Sequence, residues 1–302
     1  MSVDRIKAWK NWTDNDNNPL INPVPPEWII ADPTFLSPNE SPDNMWHLFA
    51  HGILYGIYHF ISHDGIKWKN TEQNMPSGIR PFLFKENNIY YLLYERIFTT
   101  FLANIAICKS SDLYKWTKSK YILTPTRSWE GRFSRRVGSP CLVKFDGKYR
   151  LYYSGGSVFL WDTMVPEPKY IGVAEAPKIL GPYKKKSKPI ISPSKNHKYR
   201  NVASGAMKVL KLADSWVGFN NGFYKDKNDR NRSSILLLHS TDGLNWNDVF
   251  EKPIIFPTTG WKRAFIYQLG IKKIEGNYWL YYNARNRWIR GIEKIGLAVL
   301  HL

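Results

Sequence analysis

Short apolar runs of strand type recur along the whole chain, separated by polar turns that themselves repeat. Three of the runs end in the same phrase: SHDGIKW at 62–68, SSDLYKW at 110–116 and STDGLNW at 240–246. The second and third copies lead within a few residues into another apolar run, YIL or PIIF. In such a turn Asp or Ser bonds the backbone amides, Gly supplies positive φ and the Trp packs between sheets. The phrase therefore reads as scaffold, and Asp64, Asp112 and Asp242 are set aside as catalytic candidates. A unit of short strands and a fixed turn, repeating every few tens of residues, predicts a β-propeller.

With the turns as register marks, the runs sort into four-stranded antiparallel meanders. The first begins at ADPTFL (31–36) and the second at RPFLF (80–84). The third begins at PCLVKF (140–145), the fourth at AMKVLKL (206–212) and the fifth at FIYQLGIKKI (265–274). The fifth has only three strands before the chain stops. The N-terminal segment NPLINP (18–23), preceded by Trp9 and Trp12, resembles the outer strands KPIISP (188–193) and KPIIFP (252–257) and supplies the missing one. The expected fold is all-β: a five-bladed β-propeller of four-stranded blades, closed by its N-terminal strand, with residues 1–302 as a single domain. Joining the two chain ends in one blade removes two exposed sheet edges.

Composition refines this picture. Aromatic residues make up 15% of the chain, which suits sheets packed face to face. Cys108 and Cys141 both fall inside apolar strand patterns and read as buried free thiols rather than a disulfide or metal pair. No metal-ligand spacing occurs, and no cofactor is expected. No run reaches signal-peptide or transmembrane length, so a cytoplasmic protein without a membrane partner is expected. The formal charge of +18 favours anionic partners, whether nucleic acid, phosphate, anionic lipid or an acidic glycan. Nucleic-acid binding is the weakest of these, because no recognition motif accompanies the charge.

A meander fixes which loops share an end of the channel. The start of each inner strand, the hairpin after each second strand and the links between blades all lie together. That end collects Asp32, His51, Arg80, Glu95, Arg96, Glu130, Arg135, Arg136 and Trp161. It also collects His197, Arg200, Asn221, Arg263 and Arg285. Arginine's planar fork matches carboxylates, phosphates and sugar hydroxyls, and Trp offers a sugar ring a flat platform. These residues are the expected substrate site.

The first blade carries a resemblance to a known group. Ala31-Asp32-Pro33 at an inner-strand start, then a Trp-x-Leu-Phe strand (46–49), then Ser-x-Asp-Gly-x-x-Trp resembles the five-bladed β-propeller glycoside hydrolases. These include the arabinanase and xylosidase type (family 43), the invertase type (family 32) and related mannoside phosphorylases. The resemblance implies that Asp32 is the catalytic base or nucleophile. The second blade departs from the family pattern, reading Ile79-Arg80-Pro81-Phe82 where a carboxylate motif is usual. The third and fourth, with Val137-Gly138-Ser139-Pro140 and Ala203-Ser204-Gly205-Ala206, also lack the family acids. Glycosidic cleavage needs two carboxyl groups, so Glu95 or Glu130 is expected to replace the missing acid, with His51 or His197 as alternatives. The expected activity is glycoside hydrolysis on a sugar or oligosaccharide, phosphorylated or acidic given the basic mouth. Phosphorolysis, or a non-catalytic glycan- or anion-binding propeller, is the alternative.

Overall fold

The computed structural model describes residues 6–99, 102–132 and 134–301. The fold is all-β and consistent with a β-propeller, with short helical turns besides the strands. Its described strands form five four-stranded antiparallel meanders. The first comprises Ala31–Leu36, Trp46–His51, Ile57–Ser62 and Lys69–Asn70. Ile79–Glu86, Ile89–Thr99, Leu102–Ser110 and Lys120–Leu123 form the second. Arg135–Phe145, Lys148–Leu160, Val165–Ala176 and Lys184–Lys185 form the third. The fourth runs through Ala203–Lys211, Trp216–Lys225, Asn231–Ser240 and Asn247–Asp248. In the fifth, Phe265–Ile274, Asn277–Arg285 and Glu293–Leu300 are completed by Thr13–Asp14 from the chain's beginning.

That last pairing refines the expected N-terminal strand. The paired residues are 13–14, and the segment 18–23 adds a single bridge, Ile21 to Ile295. Pro19 and Pro23 have no amide to offer a ladder, which limits this stretch to an isolated bridge. The outer edges of the third and fourth meanders are built the same way, a two-residue strand followed by the bridges Ile171 to Ile191 and Ile235 to Ile255. The likeness of the three segments in sequence is thus a likeness in structure. Trp9 anchors the segment, fully buried against Tyr278 and Phe219 with ring centroids 4.4 and 5.9 Å away. Burying such a ring contributes about 2–3 kcal/mol.

The three repeated turns share one bonding scheme. Asp64 Oδ1 accepts the Ile66 and Lys67 amides, both at 2.8 Å, while Ser62 Oγ accepts the Gly65 amide at 3.0 Å. Asp112 and Asp242 do the same for their own turns. Gly65 and Gly243 are left-handed, with φ of 72° and 70°, and Leu113 holds the same place at 69°. A non-glycine residue there costs about 1–2 kcal/mol, which the repeated side-chain bonds offset. Each turn's Trp packs on the meander before it: Trp116 on Phe49, Trp246 on Tyr152, and Trp68 on Tyr281 of the fifth. The inner strands likewise touch in cyclic order, the first lying beside both the second and the fifth. Cys108 and Cys141 are free and buried. Among the described residues no helix is long and apolar enough to cross a membrane.

Candidate active site

Each inner strand breaks register near its start, between residues 31/34, 79/82, 138/141, 204/206 and 266/269. Such bulges re-aim a side chain and are common beside active sites. Asp32, Arg80 and Ser139 occupy three of them in the left-handed region, with φ of 54°, 54° and 47°. Non-glycine residues persist there only where surrounding contacts hold them. The pocket over this end has a volume of about 270 Å³ and is lined by Asp32, His51, Arg80, Glu167, Arg285 and Glu293, among others. Its upper wall is apolar, formed by Ile29, Ile53, Ile97 and Val165.

Arg80 is the hub. Its Nη1 donates to Glu95 Oε2 at 2.7 Å, its Nε lies 3.7 Å from Asp32 Oδ2, and its Nη2 lies 3.9 Å from Glu167 Oε2. Burial opposes a charge here, but the three carboxylates outweigh it and hold the guanidinium protonated. Glu95, only 1% exposed, also accepts from Arg136 Nη2 at 2.6 Å. Burial raises its proton affinity, Arg80 and Arg136 lower it further than that, and the net direction is down. Gly138 has no side chain for this reason, since a Cβ there would overlap the Glu95 carboxylate. His51 Nδ1 accepts the Arg80 amide at 3.3 Å and sits 3.4 Å from Asp32 Oδ2. Burial pushes the imidazole below its ordinary value despite Asp32, leaving it neutral. Asn283 Oδ1 accepts the Asp32 amide at 3.1 Å and fixes the bulge from behind.

Two carboxyls in this pocket were not among the sequence candidates. Glu167, its side chain 12% exposed, has among the described residues only the distant Arg80 ion pair. Burial and the Asp32 charge push it up to about 7 against the pull of Arg80, Arg285 and Arg136. Glu293 is pushed up to about 8, by burial first and then by Glu167 and Asp32. It accepts from Asn283 Nδ2 at 3.0 Å and lies 3.5 Å from Arg285 Nη1. Tyr267 and Gln268, from the fifth bulge, complete the floor. A buried carboxyl whose proton affinity is raised toward neutrality is the usual form of a general acid.

The other expected residues divide. Asn221 and Arg285 line the pocket, and Arg136 lines the crevice below it around Glu95 and Glu167. Glu130 does not belong to it. Fully buried, it accepts the Thr126 and Arg127 amides, the Tyr153 hydroxyl at 2.8 Å and Lys185 Nζ at 2.5 Å. Those bonds make it the cap of the turn Ser128–Glu130 and a fastener to the third meander. Trp161 is 77% exposed and outside the pocket lining. His197 and Arg200 pair with Asp248 at 3.1 and 3.3 Å. Arg135 donates to the Pro125 carbonyl, Arg96 lies over the Tyr121 ring, and Arg263 lies over Trp288. Among the described residues, no group of three or more His, Cys, Asp or Glu side chains is placed to hold a metal ion.

Comparison with known proteins supports the resemblance. The family model for glycosyl hydrolases family 43 matches residues 77–199. A putative glycoside hydrolase from Parabacteroides distasonis superposes with a TM-score of 0.70 at 16% identity, covering 98% of this chain and 99% of that one. The β-1,2-mannobiose phosphorylase of Listeria innocua gives 0.66 at 12% identity, covering 95% and 96%. An α-L-arabinanase of Cellvibrio cellulosa gives 0.64 at 14%, covering 90% and 92%. No curated protein matches in sequence. The class is therefore that of the β-propellers, and the chain resembles the five-bladed glycoside hydrolases of that class.

Proposed function

We propose that the five meanders form a five-bladed ring closed by residues 13–21, and that the pocket at its mouth cleaves a glycosidic bond. Asp32 is the base or nucleophile and Glu167 the general acid. The observation that carries this reading is the pairing of the two carboxyls around one guanidinium, at 3.7 and 3.9 Å, with Glu167 poised at about 7. Two carboxyl groups flanking the bond, one to donate a proton and one to act as base or nucleophile, are what cleavage requires. Glu167 delivers its proton to the leaving oxygen, while Asp32 either attacks the anomeric carbon or takes a proton from the attacking water. Glu95 takes neither role. It is the anion that holds Arg80 and Arg136 in place.

The substrate is a neutral glycan rather than an anionic one. The arginines of the pocket face its carboxyls: Arg80 donates to Glu95 and lies within 4 Å of Asp32 and Glu167, Arg136 donates to Glu95, and Arg285 lies beside Glu293 and donates to the carbonyls of Arg287 and Trp288. They order the carboxyls, and the positive charge of the pocket is met largely from within it, which favours a neutral ligand. The test is turnover of a broad panel of neutral glycosides and oligosaccharides by wild type, Asp32→Asn and Glu167→Gln. Asp32→Asn should abolish turnover while keeping glycan affinity within a few-fold. An inert wild type that still binds glycan would overturn the enzyme reading in favour of a lectin-like propeller.

A further inference from the structure

The mouth is crowned by apolar side chains that the fold pushes into solvent. The loop 52–56 exposes Ile53, Leu54 and Tyr55, the last 65% exposed. The hairpin after Leu160 exposes Trp161 and Met164, and the loop after Arg285 exposes Ile289 at 66%. Chains in water rarely leave so many large apolar groups at one end.

These tips are held in place from beneath. The buried Glu27 carboxylate accepts the amides of Ile53, Leu54 and Tyr55 at 2.9, 2.8 and 3.0 Å. Asp162 turns inward to accept the Asn231 amide at 2.7 Å, while the Leu160 carbonyl accepts the amides of Thr163 and Met164. Arg285 donates to the carbonyls of Arg287 and Trp288, both at 3.0 Å, beneath Ile289. In each loop hydrogen bonds tie the backbone or a side chain down while an apolar tip faces out. Basic residues stand between the tips, with Arg230, Arg263, Arg287 and Arg290 exposed.

We infer that this end docks on an anionic lipid bilayer, the apolar tips entering the interface and the arginines meeting the headgroups. Charge complementarity selects this occupant: a second copy of the chain would press two arginine-rich faces together. The tips stand about the mouth of the pocket, which suits a flat, deformable surface. Interfacial binding by apolar insertion plus basic side chains needs no spanning segment, so a search for transmembrane runs does not find it. On the glycosidase reading, the pocket then opens onto the headgroup plane and its substrate is a membrane-borne glycoconjugate.

The test is co-sedimentation of the full chain with vesicles of phosphatidylcholine alone or mixed with phosphatidylglycerol. Binding is expected to the mixed vesicles, to weaken with salt, and to fall about tenfold or more in Trp161→Ser/Ile289→Ser, whose fold is checked by its melting temperature. Arg290→Glu should weaken it as well. Asp32→Asn should bind vesicles like wild type, so a failure of the catalytic reading stays separate from a failure of docking. No binding to mixed vesicles, binding unchanged in the double variant, or a dimer in solution that the double variant disperses would each overturn the inference.

Discussion

Replacing Glu167 by glutamine removes an ionisable group while keeping the side chain's volume, and the structure sets the sign of the resulting change in stability. The folded protein holds the Glu167 proton more tightly than the unfolded chain, because burial and Asp32 raise it from 4.5 to about 7. Wild type is therefore most stable, as far as this group matters, below its unfolded value. It loses that contribution as pH rises from 4.5 to about 7, and above that the loss is complete. The shift corresponds to about 3 kcal/mol at roughly 1.4 kcal/mol per unit. Glutamine cannot ionise, so Glu167→Gln should match wild type at about pH 4 and exceed it by up to about 3 kcal/mol above about pH 8. Urea unfolding across a pH series reads this as a midpoint difference that opens with pH at constant slope.

The same variant should lose activity, by about 10²- to 10⁴-fold in kcat, on glycosides whose leaving group needs a proton. On an aryl glycoside with an acidic phenol the loss should nearly vanish. Wild-type activity should fall as pH rises through about 7, where Glu167 ionises. Gaining stability while losing turnover is the trade expected of a strained functional carboxyl. A stability difference independent of pH, or equal loss on both kinds of substrate, would refute the assignment.

Glu95→Gln should cost about 3–5 kcal/mol near neutral pH, because Arg80 and Arg136 are left buried without their shared anion. Since Glu95 titrates below its ordinary value, that cost should shrink as acid protonates it in wild type, which urea midpoints at neutral and acid pH would measure. Glu130→Gln should destabilise by about 1–3 kcal/mol through its lost cap and Lys185 bonds, and leave kcat per folded molecule unchanged; a large kcat effect would return it to the active site. Asp242→Ala removes the acceptor of the Leu244 and Asn245 amides and should lower stability by about 1–2 kcal/mol, with turnover of the folded fraction intact.

The repeated turn was a reliable guide because its chemistry is local. Ser, Asp and Trp act within seven residues, so their spacing survives in the sequence and sets the register of the strands around it. That register puts Asp32, His51 and Arg80 at the mouth, since inner-strand starts and mouth hairpins follow from the meander alone, whereas the bulges that aim them are seen only in the structure. Glu167 and Glu293 were missed for a specific reason. Each opens a third strand at the mouth, and the apolar pattern that marks those strands begins only at Tyr170 and Lys294. In the structure the strands begin earlier, at Val165 and Glu293, and Glu167 pairs with Val158. Glu167, buried among arginines of the second and fifth meanders as well as its own, looks in sequence like one more polar loop residue. Glu130 shows the converse error: it lies amid arginines along the chain, yet its partners are its own turn, Tyr153 and Lys185. Nearness in sequence places a charge beside its neighbours, whereas its proton affinity is set by neighbours in space. Within this fold the informative question about a carboxyl is which strand end carries it, and the early starts of two third strands answer that for Glu167 and Glu293.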